Sequence, residues 1–467
     1  MNIRRFDFFY AALLSVAIIC SLSCTLQMPL RQSEREWVFM IYMDADNNLE
    51  NASIEDFHEM SYGLYQKWLD DYQIDRKFAI VVQYDDYFRK QQGRYEIQKS
   101  SFFDESSTLT GKIEGTGNEV DMGSAQTLKD FINFCKEEYP SEHYALFLWN
   151  HGGGVRSSSD EIFDRAICWD ESTEDGDPLY TGEISDVLTE DESVDLIAMD
   201  ACLMGMAEIA YQYRPKEGAF GSQIITFSPA TEAGDGYEYD HLISSLGDLE
   251  TLTAEELGKK IVRSYEASYE DRQGETQTAV DLTKMENLKA AWDALASELT
   301  GLKDDIGENV RGSGEEVYAL HYFQEGYAYQ WNDYAIFDLY DVVLSIRDRD
   351  YSAVVNERCD DLLDSVDDAV ITSFYGGDED DFEDGKNGLG FFFPDGDTTW
   401  SDQYFYTSLD NDQFILWADE NRSSWDGYGN IEMCDGDDDH VVESWFELLQ
   451  YWYNPTRDET VHPGPMW

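Results

Sequence analysis

Basic residues are scarce. The 467-residue chain has 32 Lys and Arg against 97 Asp and Glu, a formal charge of −65. The excess runs along most of the chain, so the surface repels phosphate backbones and anionic headgroups, which argues against nucleic acid as a partner. It attracts cations, Ca²⁺ and basic peptides among them, although most of this charge reads as solvation. Paired cysteines are also missing. Seven cysteines are present with no CxxC and no Cys/His ligand pair, which argues against a zinc site and against a disulfide framework. The longest apolar run near the N-terminus, Phe8–Ile19, is short of the roughly 20 residues that cross a membrane. Internal repeats and low-complexity linkers are absent too.

The hydrophobic content of 42% is ample for a large core. At the N-terminus, "MNIRR" and Phe8–Ile19 form the basic and apolar parts of a signal peptide. The segment ends in "SLSC", and small residues before Cys24 resemble a lipobox, with Ser21 where an aliphatic residue is usual. Residues 1–24 are therefore expected to direct export, with a lipid anchor on Cys24 or simple secretion, and residues 25–36 to act as a tether. Five cysteines remain: Cys135, Cys168, Cys202, Cys359 and Cys434. Cys135 falls on the apolar face of "SAQTLKDFINFCKEEYP" and reads as core.

Apolar runs alternate with helical patterns. "WVFMIYM", "KFAIVVQYDD", "YALFLWN" and "VDLIAM" are apolar throughout, as strands covered on both faces are. This predicts an α/β fold, an α-β-α sandwich around a mostly parallel sheet, over residues 37–248. Residues 249–467 are expected to be helical and mixed and to complete or cover that core, with "GLGFFFP" as one more strand. Ligands of such sheets bind beyond the carboxyl ends of the strands.

Two strands end there in reactive side chains. "LFLWNHGGG" delivers His151, and "LIAMDACLMG" delivers Cys202, 51 residues later. A nucleophilic cysteine needs a base and donors for the oxyanion. The glycines after His151 let backbone approach a substrate carbonyl, and a helix over Leu203–Tyr213 is expected to lower the Cys202 pKa by its dipole. If the two strands are neighbours, roughly 5 Å apart, the imidazole and thiol can face each other.

"LWNHGGG" followed by "MDACLMG" resembles the clostripain family of cysteine peptidases (family C11, clan CD, caspase-like). "YMDADNNLE", "ICWDESTEDGDPLYTGEISDVL", "GSQ…GDGYEYD", "TAVDLTKMENL" and "GLGFFFP" follow in the family's order, over roughly 36–395. The resemblance implies Cys202 as nucleophile, His151 as general acid/base, the backbone N–H groups of Gly152 and Cys202 as oxyanion hole, and Asp200 with Ser222 in the S1 pocket. It further implies cleavage after Arg or Lys, an internal activating cut between His and Cys, and a tendency to depend on Ca²⁺. One departure concerns the pocket: Ile224, Ile225 and Thr226 stand where relatives carry a second acid.

No metal is required for this chemistry. Hard oxygen ligands for Ca²⁺ are offered by Asp44 and Asp46 in "MDADNN", although Leu49 occupies the position an EF-hand reserves for glycine. The acidic runs Gly376–Gly385 and Asp435–His440 read equally well as solvated loops. Activation would need Arg156 or Arg165, and neither is well placed for a cut, so the chain is expected to act unprocessed. The competing reading is a non-catalytic surface lipoprotein on the same scaffold, binding cations or proteins.

Overall fold

The computed structural model describes residues 35–102, 109–114, 120–153, 166–170, 177–313, 316–322, 336–377, 382–393, 408–409, 413–414, 431–434 and 441–453. Residues 1–34, Arg156, Arg165, residues 378–381 of the first acidic run and the whole of Asp435–His440 lie outside them.

Nine strands form one sheet: β1 (Arg35–Ala45), β2 (Phe78–Asp86), β3 (Gly93–Glu96), β4 (Lys112–Glu114), β5 (Ser141–Trp149), β6 (Leu196–Asp200), β7 (Ile224–Phe227), β8 (Thr276–Asp281) and β9 (Val370–Tyr375). Their order across the sheet is β9-β8-β7-β6-β5-β1-β2-β3-β4. The block β7-β6-β5-β1-β2 is parallel, and two antiparallel strands flank it at each edge.

The unbroken apolar runs serve two layers at once. Val38, Met40 and Tyr42 join one core cluster, which takes in helix Ala125–Glu138. Trp37, Phe39, Ile41 and Met43 join the opposite cluster, which takes in helices Glu50–Asp70, Tyr239–Ser245 and Ala254–Tyr269. Side chains of a strand alternate between faces, so a strand buried on both sides must be apolar at every position. In β6 the same alternation sends Ile197 and Met199 one way and Leu196 and Ala198 the other. Asp200 shares the parity of Leu196 and Ala198 and so points toward helix Glu50–Asp70. That helix is held by Ile54, Phe57, Met60 and Leu64, buried at spacings of three and four residues.

The sheet does not stop near residue 248. Strands β8 and β9 continue it, and helices Met285–Glu298, Leu339–Asp348 and Ala353–Ala369 cover the face that Val38 and Met40 line. "GLGFFFP" supplies a strand over Gly390–Phe392, paired with Ile336–Asp338 outside the main sheet. No helix among the described residues is long and apolar enough to cross a membrane.

Candidate active site

The parallel pairing of β5 with β6 sets Trp149 opposite Asp200. Both reactive residues stand two positions further along their chains. The same register therefore brings the chain at His151 and at Cys202 to one level at the carboxyl rim of the sheet. Their following segments touch as well: a Cβ on Gly152 would fall 2.2 Å from the Cys202 carbonyl oxygen, so no other residue fits there without moving the backbone. Cys202 is the one described cysteine that is not buried; Cys135, Cys168, Cys359 and Cys434 all are, and none forms a disulfide.

The expected helix after Cys202 is much shorter. Leu203 adopts φ +63°, a left-handed conformation that ends any helical path, and the helix runs only over Ala207–Gln212. Residues 203–205 instead form a turn tied to the loop after β7, with Leu203 N–H donating to the Ala230 carbonyl (2.9 Å) and Gly205 N–H to the Ser228 carbonyl (2.8 Å). The expected lowering of the thiol pKa by a helix end therefore does not apply. Although Cys202 keeps partial solvent contact, desolvation by the surrounding site and the nearby Glu232 carboxylate push its thiol up to about 12, against one lowering contact from the Glu232 backbone N–H. That N–H donates to Sγ at 3.3 Å. Burial likewise lowers the His151 pKa, so both partners favour their neutral forms in the empty site.

His151 is held by the loop that follows β1. Its Nε2 lies 2.6 Å from Asn48 Oδ1. A carboxamide oxygen only accepts, so Nε2 carries the proton and Nδ1 is left with the lone pair. Behind Asn48, Asn47 Nδ2 donates to Asn150 Oδ1 (2.9 Å), and Asn150 Nδ2 donates to Asp44 Oδ2 (2.6 Å). The other Asp44 oxygen accepts from the Asp46 backbone N–H at 3.2 Å. Asp44 is thus occupied in bracing the histidine loop, and a cation would have to displace the Asn150 amide. The described residues contain a single acidic and histidine cluster with ligand atoms mutually within 4.8 Å, formed by Glu238, Asp240 and His241.

Asp200 does not cap a helix. It is buried and accepts from the Tyr239 hydroxyl (2.9 Å) and the Tyr237 backbone N–H (3.2 Å). Desolvation raises its pKa to about 7, opposed by those bonds and by one with the Glu232 side chain. Glu232, whose Oε1 also accepts from Gln277 Nε2 at 3.0 Å, is raised well above the usual carboxylate range by burial and by Asp200. Asp56, from helix Glu50–Asp70, is raised by burial and by Asp200, and accepts from Trp149 Nε1 at 2.6 Å. Two carboxyls in hydrogen-bond contact share a proton, because both cannot ionise there.

Glu232 sets a second carboxyl beside Asp200, which the run Ile224–Thr226 does not supply. It was hidden because it comes from the loop beyond β7 rather than from the strand. Ser222 lies at the other end. It precedes β7, whose register pairs Leu196 with Ile224 and Ala198 with Thr226, so Ser228 rather than Ser222 is level with Asp200. The Ser222 hydroxyl donates to the Ile224 carbonyl (2.8 Å) and its N–H to the Tyr213 carbonyl (2.9 Å), a structural role at the amino edge of the sheet. The assignment of Ser222 to a substrate pocket is therefore wrong. Thr226 is buried within β7 and Asp235 is exposed. His143 stacks on Trp37 and pairs with Asp195, away from the rim.

With that geometry in view, the comparisons with known proteins are specific. Residues 41–452 match the clostripain family. Clostripain of Hathewaya histolytica is 34% identical over 475 residues, covering 92% of this chain and 89% of that protein. Among solved structures, an inactive zymogen C11 protease from Parabacteroides distasonis superposes with a TM-score of 0.54 at 18% identity, covering 77% of this chain and 92% of that one. A secreted C11 cysteine protease from Bacteroides thetaiotaomicron, solved with an irreversible peptide inhibitor, gives 0.53 at 15% identity over 77% and 93%. These two likenesses concern the fold.

Proposed function

Since this chain belongs to the clostripain family and is a cysteine peptidase, we propose that Cys202 and His151 form its dyad and that it cuts peptide bonds after Arg or Lys. One observation above all supports the reading: the register that puts Trp149 opposite Asp200 carries His151 and Cys202 to the same level, beside buried carboxyls. In this mechanism Nδ1 of His151 takes the thiol proton as Sγ bonds to the scissile carbonyl carbon. The oxygen gains charge against the backbone N–H groups of Gly152 and Cys202. The C–N bond then breaks as the imidazolium returns the proton to the leaving amine. Water, deprotonated by His151, attacks the thioester, and the thiol is regenerated with release of the acid. Thiol and imidazole start neutral, so proton transfer accompanies attack rather than preceding it.

The pocket reading rests on Asp200 and Glu232. A guanidinium or ammonium entering beside them replaces the shared proton and forms charge-assisted bonds in a desolvated site. Export is part of the same proposal. The basic and apolar N-terminal segment supports it, Cys24 offers a lipid anchor, and the B. thetaiotaomicron relative is described as secreted. Calcium remains outside the chemistry proposed and enters the test as a variable.

The test uses residues 25–467, wild type beside Cys202→Ala, on a denatured protein mixture with and without Ca²⁺, reading new N-termini by mass spectrometry. Cuts after Arg and Lys that vanish in the variant are expected. Cuts after other residues would retain the nucleophile and remove the basic pocket; cuts that persist in Cys202→Ala would overturn the dyad.

A further inference from the structure

The rim continues past His151 to an exposed aromatic pair. The registers pair Met43 with Trp149 on one side and with Tyr84 on the other, and Ala45 with Asp86. Carried two residues past Trp149 and Asp200, they bring Cys202, His151, Ala45 and Asp86 to one level. The next residues after Asp86 are Tyr87 and Phe88, which are 46% and 76% exposed. Their rings meet edge to face with centroids 4.7 Å apart. Exposed rings are costly in water, yet this loop is firmly built. The Phe88 N–H donates to Glu50 Oε2 at 3.0 Å, Arg89 pairs with Glu50 Oε1 and donates to Asn51 Oδ1 at 2.9 Å, and the Gln91 N–H donates to Asp86 Oδ1 at 2.6 Å. Glu50 is buried. The rings are held out, not left loose.

The direction of a substrate follows from the chemistry. The acyl half stays on Cys202, with its side chain toward Asp200 and Glu232, and Glu232 belongs to the loop after β7. The amine must leave past His151, the proton donor, on β5. The sheet order β7-β6-β5-β1-β2 then sends the leaving half over β1 toward β2. Three strand spacings separate β6 from β2, about 14 Å at about 4.8 Å each, and an extended peptide covers about 3.4 Å per residue. The third or fourth residue after the cleaved bond therefore arrives at Tyr87 and Phe88.

We infer that Tyr87 and Phe88 form a leaving-side subsite that binds a large apolar side chain, aromatic or aliphatic, three or four residues beyond the cleaved bond. The inference rests on the peptidase reading above and adds a second specificity element, opposite the acidic pocket across the thiol.

The experiment compares wild type with a Tyr87→Ala/Phe88→Ala variant on two substrate sets. One is an arginyl aminomethylcoumarin amide, which has no residues beyond the cleaved bond. The other is a family of peptides with Arg before the bond and either Phe or Gly at the third or fourth position after it. Wild type should favour Phe over Gly by about tenfold in kcat/KM. The variant should lose that preference while hydrolysing the amide as before. An unchanged preference overturns the subsite, and so does an equal fall on the amide, which would make the loop a support of the catalytic site. The same peptides are also bound to Cys202→Ala, with and without the two further substitutions, by fluorescence anisotropy. A Phe preference that disappears with the rings supports the subsite even if no substrate is cleaved, and equal affinities overturn it. Failure of wild type to hydrolyse the amide would count against the basic-residue peptidase reading alone.

Discussion

The two sides of Cys202 handle buried polar groups in opposite ways. Toward β5 and β1, the site is built mainly from neutral amides: Asn48 accepts a hydrogen bond from His151 Nε2, Asn47 Nδ2 donates to Asn150, and Asn150 Nδ2 donates to Asp44. Toward β7, carboxyls face carboxyls: desolvation raises Asp56, Asp200 and Glu232 alike, and the Asp200 charge raises the other two further. The first arrangement can hold an uncharged imidazole in one tautomer. The second is satisfied only by protons or by a cation from outside. The proposed dyad calls for the former, and the proposed pocket for a charged side chain calls for the latter.

The largest effect expected from breaking this contrast is at Asp200. Asp200→Asn should lower kcat/KM on arginyl amides by about 10²- to 10³-fold, the loss of a desolvated charge-assisted contact, with a far smaller change on a glutaminyl substrate. Stability should move the other way. Between the ordinary carboxylate range and about 7, folded Asp200 holds a proton that the unfolded chain has released. The stability this proton confers is full below about pH 4 and is lost as pH rises toward 7 and beyond. Asp200→Asn removes that loss, so calorimetry at pH 8 should find a higher Tm than wild type, and a smaller difference at pH 4. For the same reason KM for arginyl substrates should fall as pH rises through about 7. A pH-independent KM would show that Asp200 and Glu232 do not trade a proton for the substrate.

A smaller effect is expected on the amide side. Asn48→Ala should lower kcat by about 10- to 100-fold with KM little changed, because it frees the imidazole to rotate or change tautomer without touching the acidic pocket. ¹⁵N chemical shifts of the His151 ring report the tautomer directly: Nε2–H in wild type, a mixture in the variant. Asn48→Asp restores an acceptor with charge and should raise the His151 pKa. Equal losses in kcat and KM, with an unchanged tautomer, would reduce Asn48 to a loop residue.

Much of this was legible beforehand because it depends on covalent sequence and strand parity. The apolar runs before His151 and Cys202 announce strands buried on both faces, and a parallel sheet puts the ends of such strands on one rim. What could not be read was whatever depends on a partner distant in sequence. Asn48 lies 103 residues from His151 and sits within an Asp/Asn cluster whose oxygens read first as cation ligands rather than as partners of the histidine. Glu232 stands 30 residues past Cys202, and the ties of Leu203 to Ala230 and of Gly205 to Ser228 bring its loop to the thiol. The dipole argument failed for a local reason: the left-handed Leu203 is invisible in a sequence that reads as a continuous amphipathic helix. Family resemblance named a serine next to β7, and the register shows that this serine stands at the amino end of that strand.

That last point yields the smallest expected effect and a clean separation of the two ends of β7. Ser222→Ala should leave kcat and KM on arginyl substrates within about twofold of wild type, since the register sets Ser228, not Ser222, level with Asp200. It should still register in stability. The Ser222 hydroxyl is buried and its bond to the Ile224 carbonyl is lost, which costs about 1 kcal/mol. A urea melt of the variant beside wild type measures that cost, and steady-state rates at equal folded concentration measure the rest. A tenfold rise in KM with unchanged stability would instead bring the amino edge of β7 into the pocket, against the parallel pairing on which the whole arrangement of the rim depends.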